Sequence, residues 1–306
     1  MISDLRVGLR LLWRDKAFTL TAALTLALCI GANTALFSIF NSLNLKALPV
    51  SEADRLVLLA DDSWTNPIWE QIRAQDDQIA GGAFAWSNER FNLSPAGEAD
   101  PVDGIYASGR IFDVLGVAAI RGRTFTQADD DRRGGPNGPV AVISYGFWQR
   151  RFAGADDAIG RTVSINRTPF TIVGVTPQAF FGPEVGRSAD VMLPLGTEAI
   201  VRGADSSLDG RSSWWLNIML RLRRDQTLAQ ATDRLRGVQD QIRVATMPQR
   251  GKDIQATYLR DPFTLAPASS GRSALRIRYE QPLRALMGVV GLVLITGVTS
   301  GASGVL

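Results

Sequence analysis

The chain has 306 residues, a formal net charge of +3, and acidic residues interspersed among basic ones. This balance argues against a nucleic-acid partner, which would require clustered Lys and Arg. With no histidine and one cysteine, Cys29, the chain cannot form a His-based triad, a disulfide framework or a Cys-based metal site. We predict that it is not an enzyme and has no catalytic, cofactor-binding or metal-binding residues and no cofactor.

Two stretches without charged residues lie near the ends of the chain, between Lys16 and Lys46 and from Ala285 to Leu306. A membrane-spanning helix needs about 20 apolar residues, whereas a secretory signal core has about 7–15. We therefore predict transmembrane helix 1 over 17–45, with Cys29 as a buried apolar residue, and transmembrane helix 2 within 283–306. The excess of basic residues before the first helix predicts a cytoplasmic N-terminus, with 46–282 on the other side of the membrane. The arginines from Arg272 to Arg284 oppose this orientation, but we give more weight to the N-terminal charges because long loops cross the membrane largely regardless of charge.

The first 16 residues form a pattern of their own. Ile2, Leu5 and Leu9 recur at helical spacing, and Arg6 and Arg10 lie on another face. This pattern favours a cytoplasmic segment lying in the membrane interface, with its arginines among lipid headgroups. The alternative interpretation is that these residues begin the membrane helix.

The second charge-free stretch is rich in small residues. Gly297 with Gly301, and Ser300 with Gly304, are each four residues apart, a spacing that lets helices approach closely in lipid. This favours a helix inside a multi-helix bundle over a plain anchor. Because no charged residue follows before Leu306, we expect the sequence to be part of a longer protein with further membrane helices.

The polar domain begins with one β-α-β pattern and ends with another. The first has a strand at 55–60, a helix capped by Asn66 with Pro67 at its first position and stopped by Gly81-Gly82, and strands at 84–93 and 102–108.

The second pattern starts with the alternating residues 216–222. A Thr227–Gln230 capping box and one helix face through Ile242 follow, and then a strand at 255–260. Two such units predict a four-stranded ferredoxin-like layer with helices on one face.

The region from about 120 to 200 differs, and we interpret it as an inserted β-rich subdomain. Val140–Ile143 reads as a strand, and Ser144 caps a short helix through Phe152. Further strands are predicted at 162–165, 170–175 and 191–193, with a hairpin turn over 166–169.

Three acidic runs and one aromatic pair are the remaining candidates for chemistry or binding. We interpret Asp129-Asp130-Asp131, Asp61-Asp62 and Asp76-Asp77 as solvated loops, because their spacing matches no calcium loop. Trp214-Trp215 favours packing at the start of a strand over a surface that faces a partner.

Five segments together resemble the MacB/FtsX-type ABC transporter permeases, specifically the acidobacterial-type duplicated orphan permeases. They are 4–43, FDVLGVAAIRGRTF (112–125), VAVISYGFWQRRF (140–152), IGRTVSINRTPFTIVGVTPQAF (159–180) and LRALMGVVGLVLITGV (283–298). The resemblance implies a membrane helix, a MacB-like periplasmic core domain over 46–282 and the start of an FtsX-like permease domain over 283–306, in a multi-pass protein of the bacterial inner membrane.

The expected fold class is an α+β extracytoplasmic domain flanked by two transmembrane helices, with a ferredoxin-like porter-type layer and the inserted subdomain. The expected function is a noncatalytic permease subunit of an ABC-type export or mechanotransmission system. Its expected partners are a separate ABC ATPase, membrane lipid and a second copy of the full-length protein. The alternative is a membrane-anchored sensing or scaffold domain without transport activity.

Overall fold

The computed structural model describes residues 47–60, 63–94 and 99–272, together with scattered positions from 16 to 38 and at 285 and 288. Ala47–Arg272 form one compact unit. Every described position from 16 to 38 is helical. Among the described residues, no helix combines the length and apolar character needed to cross a membrane. The predictions about residues 1–15, Cys29 and the small-residue pattern at 297–304 lie outside the described residues.

The strands of the described residues form one mixed sheet. Its strands are β1 Leu56–Leu59, β2 Ala83–Asn92, β3 Pro101–Ala107, β4 Arg121–Gly122, β5 Val140–Ile143, β6 Thr162–Ile165, β7 Thr168–Val175, β8 Val191–Pro194, β9 Asn217–Arg221 and β10 Leu265–Pro267. The order across the sheet is β10-β1-β9-β2-β3-β8-β5-β7-β4, and β6 pairs with β7.

The helices connect these strands. They are α1 Asn66–Arg73, α2 Asp76–Ile79, α3 Ile111–Leu115, α4 Tyr145–Phe152, α5 Glu198–Arg202, α6 Leu228–Gly237, α7 Gln239–Ala245 and α8 Lys252–Arg260. Short 3₁₀ turns cover Ala53–Arg55, Asp156–Ala158, Leu195–Thr197 and Gly203–Asp205.

The strands β10-β1-β9-β2 form a ferredoxin-like layer. Each is antiparallel to its neighbour in this order. Helices α1 and α2 connect β1 to β2, whereas α6, α7 and α8 connect β9 to β10. Two interleaved β-α-β units produce this order, as the repeated sequence pattern predicts.

The predicted strand over 255–260 is wrong, because these residues belong to helix α8. A six-residue segment carries too little periodicity to separate a strand from a helix. Tyr258 is the buried residue of α8, and its hydroxyl lies 2.6 Å from Oγ1 of Thr246. Leu265–Pro267 take the place in the sheet instead.

Two predicted helices differ from those observed. Thr65, not Asn66, caps α1: its backbone is extended and its Oγ1 accepts from the Ile68 N–H, so Pro67 is the second helical residue. The helix ends at Arg73, and α2 forms separately before Gly81. The Thr227–Gln230 capping box is confirmed, but the helix it starts divides at Val238, whose φ of −106° and ψ of 0° leave the helical region.

Predictions for the inserted region match the observed strands more closely. Strand β5 and helix α4 have the predicted bounds, and the Ser144 hydroxyl accepts from the Phe147 N–H at 3.0 Å. The β6–β7 hairpin turns at Asn166 and Arg167, both with positive φ. The strands of this region continue the sheet of the ferredoxin-like layer, because β8 pairs in parallel with β3.

Both faces of the sheet are buried, which corrects the prediction of helices on one face. One apolar cluster contains Ile218 and Leu220 of β9 and the inward side chains of α1, α6 and α7. Met219, between those two residues, belongs to a second cluster with Phe112 of α3. Because successive side chains of a strand point to opposite faces, Met219 lies on the face opposite to Ile218 and Leu220. The second cluster shields this apolar side chain from water.

Candidate functional site

The two ends of the compact unit lie side by side. We call residues 47–50 the lead-in segment and residues 268–272 the lead-out segment. The Leu48 N–H donates to the Ser269 carbonyl oxygen at 2.9 Å, and the Ala268 N–H donates to the Leu56 carbonyl oxygen at 2.9 Å. The Leu48 side chain is buried in the same apolar cluster as Ala268. The chain therefore enters and leaves this unit at one place.

A loop holds the lead-out segment in position. We call residues 180–190 the clasp loop. The Val185 N–H donates to the Arg272 carbonyl oxygen at 3.0 Å, and the Arg272 N–H donates to the Pro183 carbonyl oxygen at 3.4 Å. Gly271 has a φ of +68°, and a Cβ at this position would lie 2.8 Å from the Pro183 carbonyl oxygen. This close approach requires glycine, and it ties the clasp loop to the lead-out segment.

A cavity of about 350 Å³ lies beside the clasp loop. We call it the junction cavity, and its size is within the range of small-molecule sites. Its walls come from β2, β3, α4 and the clasp loop. The lining residues are Asn88, Glu89, Asp103, Gly104, Ile105, Arg150, Phe181–Glu184 and Gly186–Asp190.

Two acidic side chains of the junction cavity have cationic partners. Asp190 accepts from Arg150 at 2.7 Å and from the Ser144 hydroxyl at 3.1 Å. Glu89 forms an ion pair with Arg202. These pairs join α4 to the clasp loop and α5 to β2, so they brace the walls of the cavity.

The other two acidic side chains have no cationic partner among the described residues. Glu184 is 3% exposed, and its carboxylate accepts a hydrogen bond from the neutral side-chain amide of Asn88. Asp103 is exposed, and its carboxylate has no hydrogen bond or ion pair within the described part of the chain. A buried carboxylate ordinarily has a positive partner or several donors, because removing its charge from water is costly.

The solvated-loop prediction is wrong for Asp129 and Asp76. Asp129 is 3% exposed and accepts two hydrogen bonds from Arg123, at 2.7 and 2.9 Å. Burial raises the pKa of Asp129, but the bonds from Arg123 and Thr126 outweigh it, and the net pKa is below the ordinary value. Asp76 is 4% exposed; burial raises its pKa, and the nearby Arg110 opposes that rise.

Asp130 is half-buried and connects the chain that follows β3 to the chain that follows β8. Its carboxylate accepts from the Gly109 N–H at 2.9 Å and from the Gly196 N–H at 2.6 Å. Burial raises the pKa of Asp130, and these two bonds partly offset that effect. Asp131 and Asp77 are exposed, as predicted, and Asp61 and Asp62 lie outside the described residues. No group of three His, Cys, Asp or Glu residues able to hold a metal exists among the described residues.

The predicted packing role of the tryptophan pair is confirmed. The Trp214 ring lies 6.3 Å from that of Trp64 and 6.2 Å from that of Tyr258. Trp215 packs edge-on against Tyr106 at 6.4 Å. Trp214 remains 39% exposed, so its outer side is accessible.

Sequence reasoning does not single out the residues of the junction cavity. A local signal exists only in the clasp loop, where Gly182-Pro183 indicates a turn beside an acidic residue. Asn88 and Asp103 are polar residues in strands, and nothing in their local sequence relates them to residue 184.

A family model and two solved structures are similar to this chain. The MacB-like periplasmic core domain family model matches residues 19–238. The periplasmic region of MacB from Actinobacillus actinomycetemcomitans is 14% identical with a TM-score of 0.47, over 71% of this chain and 90% of that one. The extracellular domain of the noncanonic ABC-type transporter YknZ from Gram-positive bacteria is 14% identical with a TM-score of 0.43, over 69% and 97%. No curated protein matches.

The family match, which spans more than half of the chain, defines a mixed α/β periplasmic core domain of the kind that ABC-type transporter permeases carry. The chain belongs to the MacB-like periplasmic core domain family. The resemblance to MacB/FtsX-type permeases, predicted from the sequence, is confirmed.

Proposed function

We propose that the chain is part of a noncatalytic permease subunit of an ABC-type export or mechanotransmission system. Residues 17–45 and 283–306 are its membrane helices, 1–16 lie in the cytoplasm, and 46–282 form the periplasmic core domain. A separate ATPase binds on the cytoplasmic side, and two copies of the full-length protein pair. The core domain transmits movement of the membrane helices without catalysing a reaction.

The observation that carries this proposal is the adjacency of the lead-in and lead-out segments, joined by the hydrogen bond from Leu48 to Ser269. A relative movement of the two membrane helices would act on both ends of the compact unit at this bond. Beyond it, the lead-out segment is bonded to the clasp loop. A small displacement at the membrane would reach the sheet through the clasp loop, which would shift between two arrangements.

Apolar exposure in the first charge-free stretch supports the membrane placement. Leu20, Leu24 and Leu28 lie in helical conformation four residues apart, with exposed fractions of 63%, 61% and 76%. Residues at this spacing share one helix face. Large apolar side chains exposed on a common face are typical of a surface that lipid or another helix covers.

The coupling to an ATPase predicts a change at the clasp. We expect the full-length protein, purified from its native membrane in detergent, to retain an ABC ATPase subunit. Trapping this complex with ATP and vanadate should change the hydrogen exchange of the Val185 and Arg272 amides at least several-fold, because both amides bond across the clasp. Amides of β9 are the internal control. Recovery of no ATPase, or unchanged clasp exchange, would contradict the proposal.

The topology predicts which cysteines react from outside the cell. In a Cys29→Ser background, we expect Arg224→Cys to react with a membrane-impermeant maleimide on spheroplasts, because the Arg224 side chain is 85% exposed. Ser3→Cys should react only after the membrane is permeabilised. Labelling of residue 3 in sealed spheroplasts would reverse the proposed orientation.

The junction cavity favours a second candidate, a membrane-anchored sensing or scaffold domain. Such a domain would bind a ligand in the cavity and move no cargo. It would show ligand-dependent exchange at the clasp without any response to ATP, so the same measurement separates the two functions.

A further inference from the structure

Within the described residues, Glu184 and Asp103 of the junction cavity form no ion pair, whereas Glu89 pairs with Arg202 and Asp190 pairs with Arg150. We propose that the junction cavity binds a small organic cation, which places an ammonium or guanidinium group between the carboxylates of Glu184 and Asp103. Such a group supplies several charge-assisted hydrogen bonds to carboxylate oxygens. It would complete the pairing of the buried carboxylate.

The chemistry of the walls favours an organic cation over a metal ion. Among the described residues, no three acidic, histidine or cysteine side chains lie close enough together to hold a metal. The cavity of about 350 Å³ is far larger than a single ion, and Ile105 and Phe181 contribute apolar wall on which a carbon chain can lie. Arg187 also lines the cavity, so a ligand with a second, acceptor group would find a donor there.

Ligand binding at Glu184 would also act on the lead-out segment. Glu184 lies between Pro183 and Val185, the two residues that bond to Arg272. A cation bound to the Glu184 carboxylate would therefore stabilise the hydrogen bonds between the clasp loop and Arg272. This regulatory consequence rests on the proposed function, whereas the binding itself does not.

Calorimetric titration of the full chain in detergent tests the binding. The probe is 1,4-diaminobutane, and its uncharged control of the same length is 1,4-butanediol. We expect the diamine to bind and the diol not to bind. Glu184→Gln and Asp103→Asn should each weaken diamine binding at least about tenfold, because each removes one charged partner. Asp209→Asn, an exposed acidic residue outside the cavity, is the matched control and should leave the affinity unchanged.

A melting temperature and a hydrogen-exchange measurement separate loss of diamine binding from loss of the fold. Glu184→Gln can still accept from Asn88, and an unchanged melting temperature would show that its fold is intact. The diamine should also slow exchange of the Val185 amide in the wild-type chain. Equal binding of diol and diamine, no diamine binding, or unaltered affinity in both cavity variants would overturn the proposal. Each of these failures would leave the ATP-dependent exchange test of the proposed function unaffected.

Discussion

Arg243→Ala should lower the free energy of unfolding by about 3 kcal/mol or more, which corresponds to a fall in Tm of about 6–12 °C for a unit of this size. The side chain is 1% exposed. Its guanidinium carbon lies 4.3 Å from the ring centre of Phe263, 4.5 Å from that of Tyr258 and 5.7 Å from that of Trp64. Thermal unfolding of the full chain in detergent, followed by near-ultraviolet circular dichroism, measures the effect.

The size of this effect follows from the position of Arg243, which lies in α7 and packs against α8 and against the aromatic rings of Trp64 and Phe263. One guanidinium nitrogen donates to both the carbonyl and the carboxylate oxygen of Asp261, each at 2.9 Å, and so fixes the chain after α8 to α7. Truncation to alanine would leave a cavity inside an aromatic cage and remove both bonds. It would loosen the connection that leads from α8 into β10.

Two variants separate packing from charge at this position. Arg243→Met keeps most of the volume and should lose less stability than Arg243→Ala, because an apolar isostere often replaces a buried charge at small cost. Arg224→Ala, whose side chain is 85% exposed, should change the stability by less than about 0.5 kcal/mol. Equal melting temperatures for Arg243→Ala and Arg224→Ala would contradict the role assigned to the cage.

Gly104→Val should separate strand β3 from strand β8 within the sheet. A Cβ at position 104 would lie 2.5 Å from the Val191 carbonyl oxygen and 2.6 Å from the Phe91 ring. These contacts are too short for the backbone to remain in place, so β3 and β8 cannot keep their spacing. We expect a loss of about 3 kcal/mol in the free energy of unfolding, at the upper end for overpacking.

The location of the damage distinguishes this variant from general destabilisation. Hydrogen exchange should accelerate at the β8 amides that pair with β3, whereas β1 and β9 should keep their protection. Gly237→Val is the matched control, since a Cβ there meets no atom within 4 Å. A uniform loss of hydrogen-exchange protection across all strands would contradict a local separation of β3 from β8.

Gly104 also connects the sheet to the clasp loop, through which we propose that movement is transmitted. Gly104 lines the junction cavity, and its partner in the register is the first residue of β8, directly after the clasp loop. Separating β8 from β3 would move the clasp loop relative to β3. We therefore expect Gly104→Val to weaken any response at the clasp along with the stability of the sheet.

The sequence by itself determined the elements whose signals are local. The alternation at 216–222, the Thr227–Gln230 capping box and the strand-to-helix turn at Ser144 depend on residues within a few positions of one another, and all three are found in the structure. The ferredoxin-like layer was also expected from the two β-α-β patterns, although its fourth strand, β10 at Leu265–Pro267, lies after the predicted 255–260.

Only the tertiary structure decided the rest, because those features depend on contacts between distant residues. The local sequence of residues 255–260 is compatible with a helix or a strand. The contact between the Tyr258 hydroxyl and Thr246, twelve positions earlier in the chain, favours the helix. Asp129 and Asp130 lie in a polar loop that reads as solvated, but Asp129 is buried beside Arg123, and Asp130 is half-buried and accepts from the Gly196 N–H. The junction cavity joins two strands, a helix and a loop spread over about 100 positions. The electrostatic environment of a carboxylate is set by what folding packs around it, and local sequence does not carry that information.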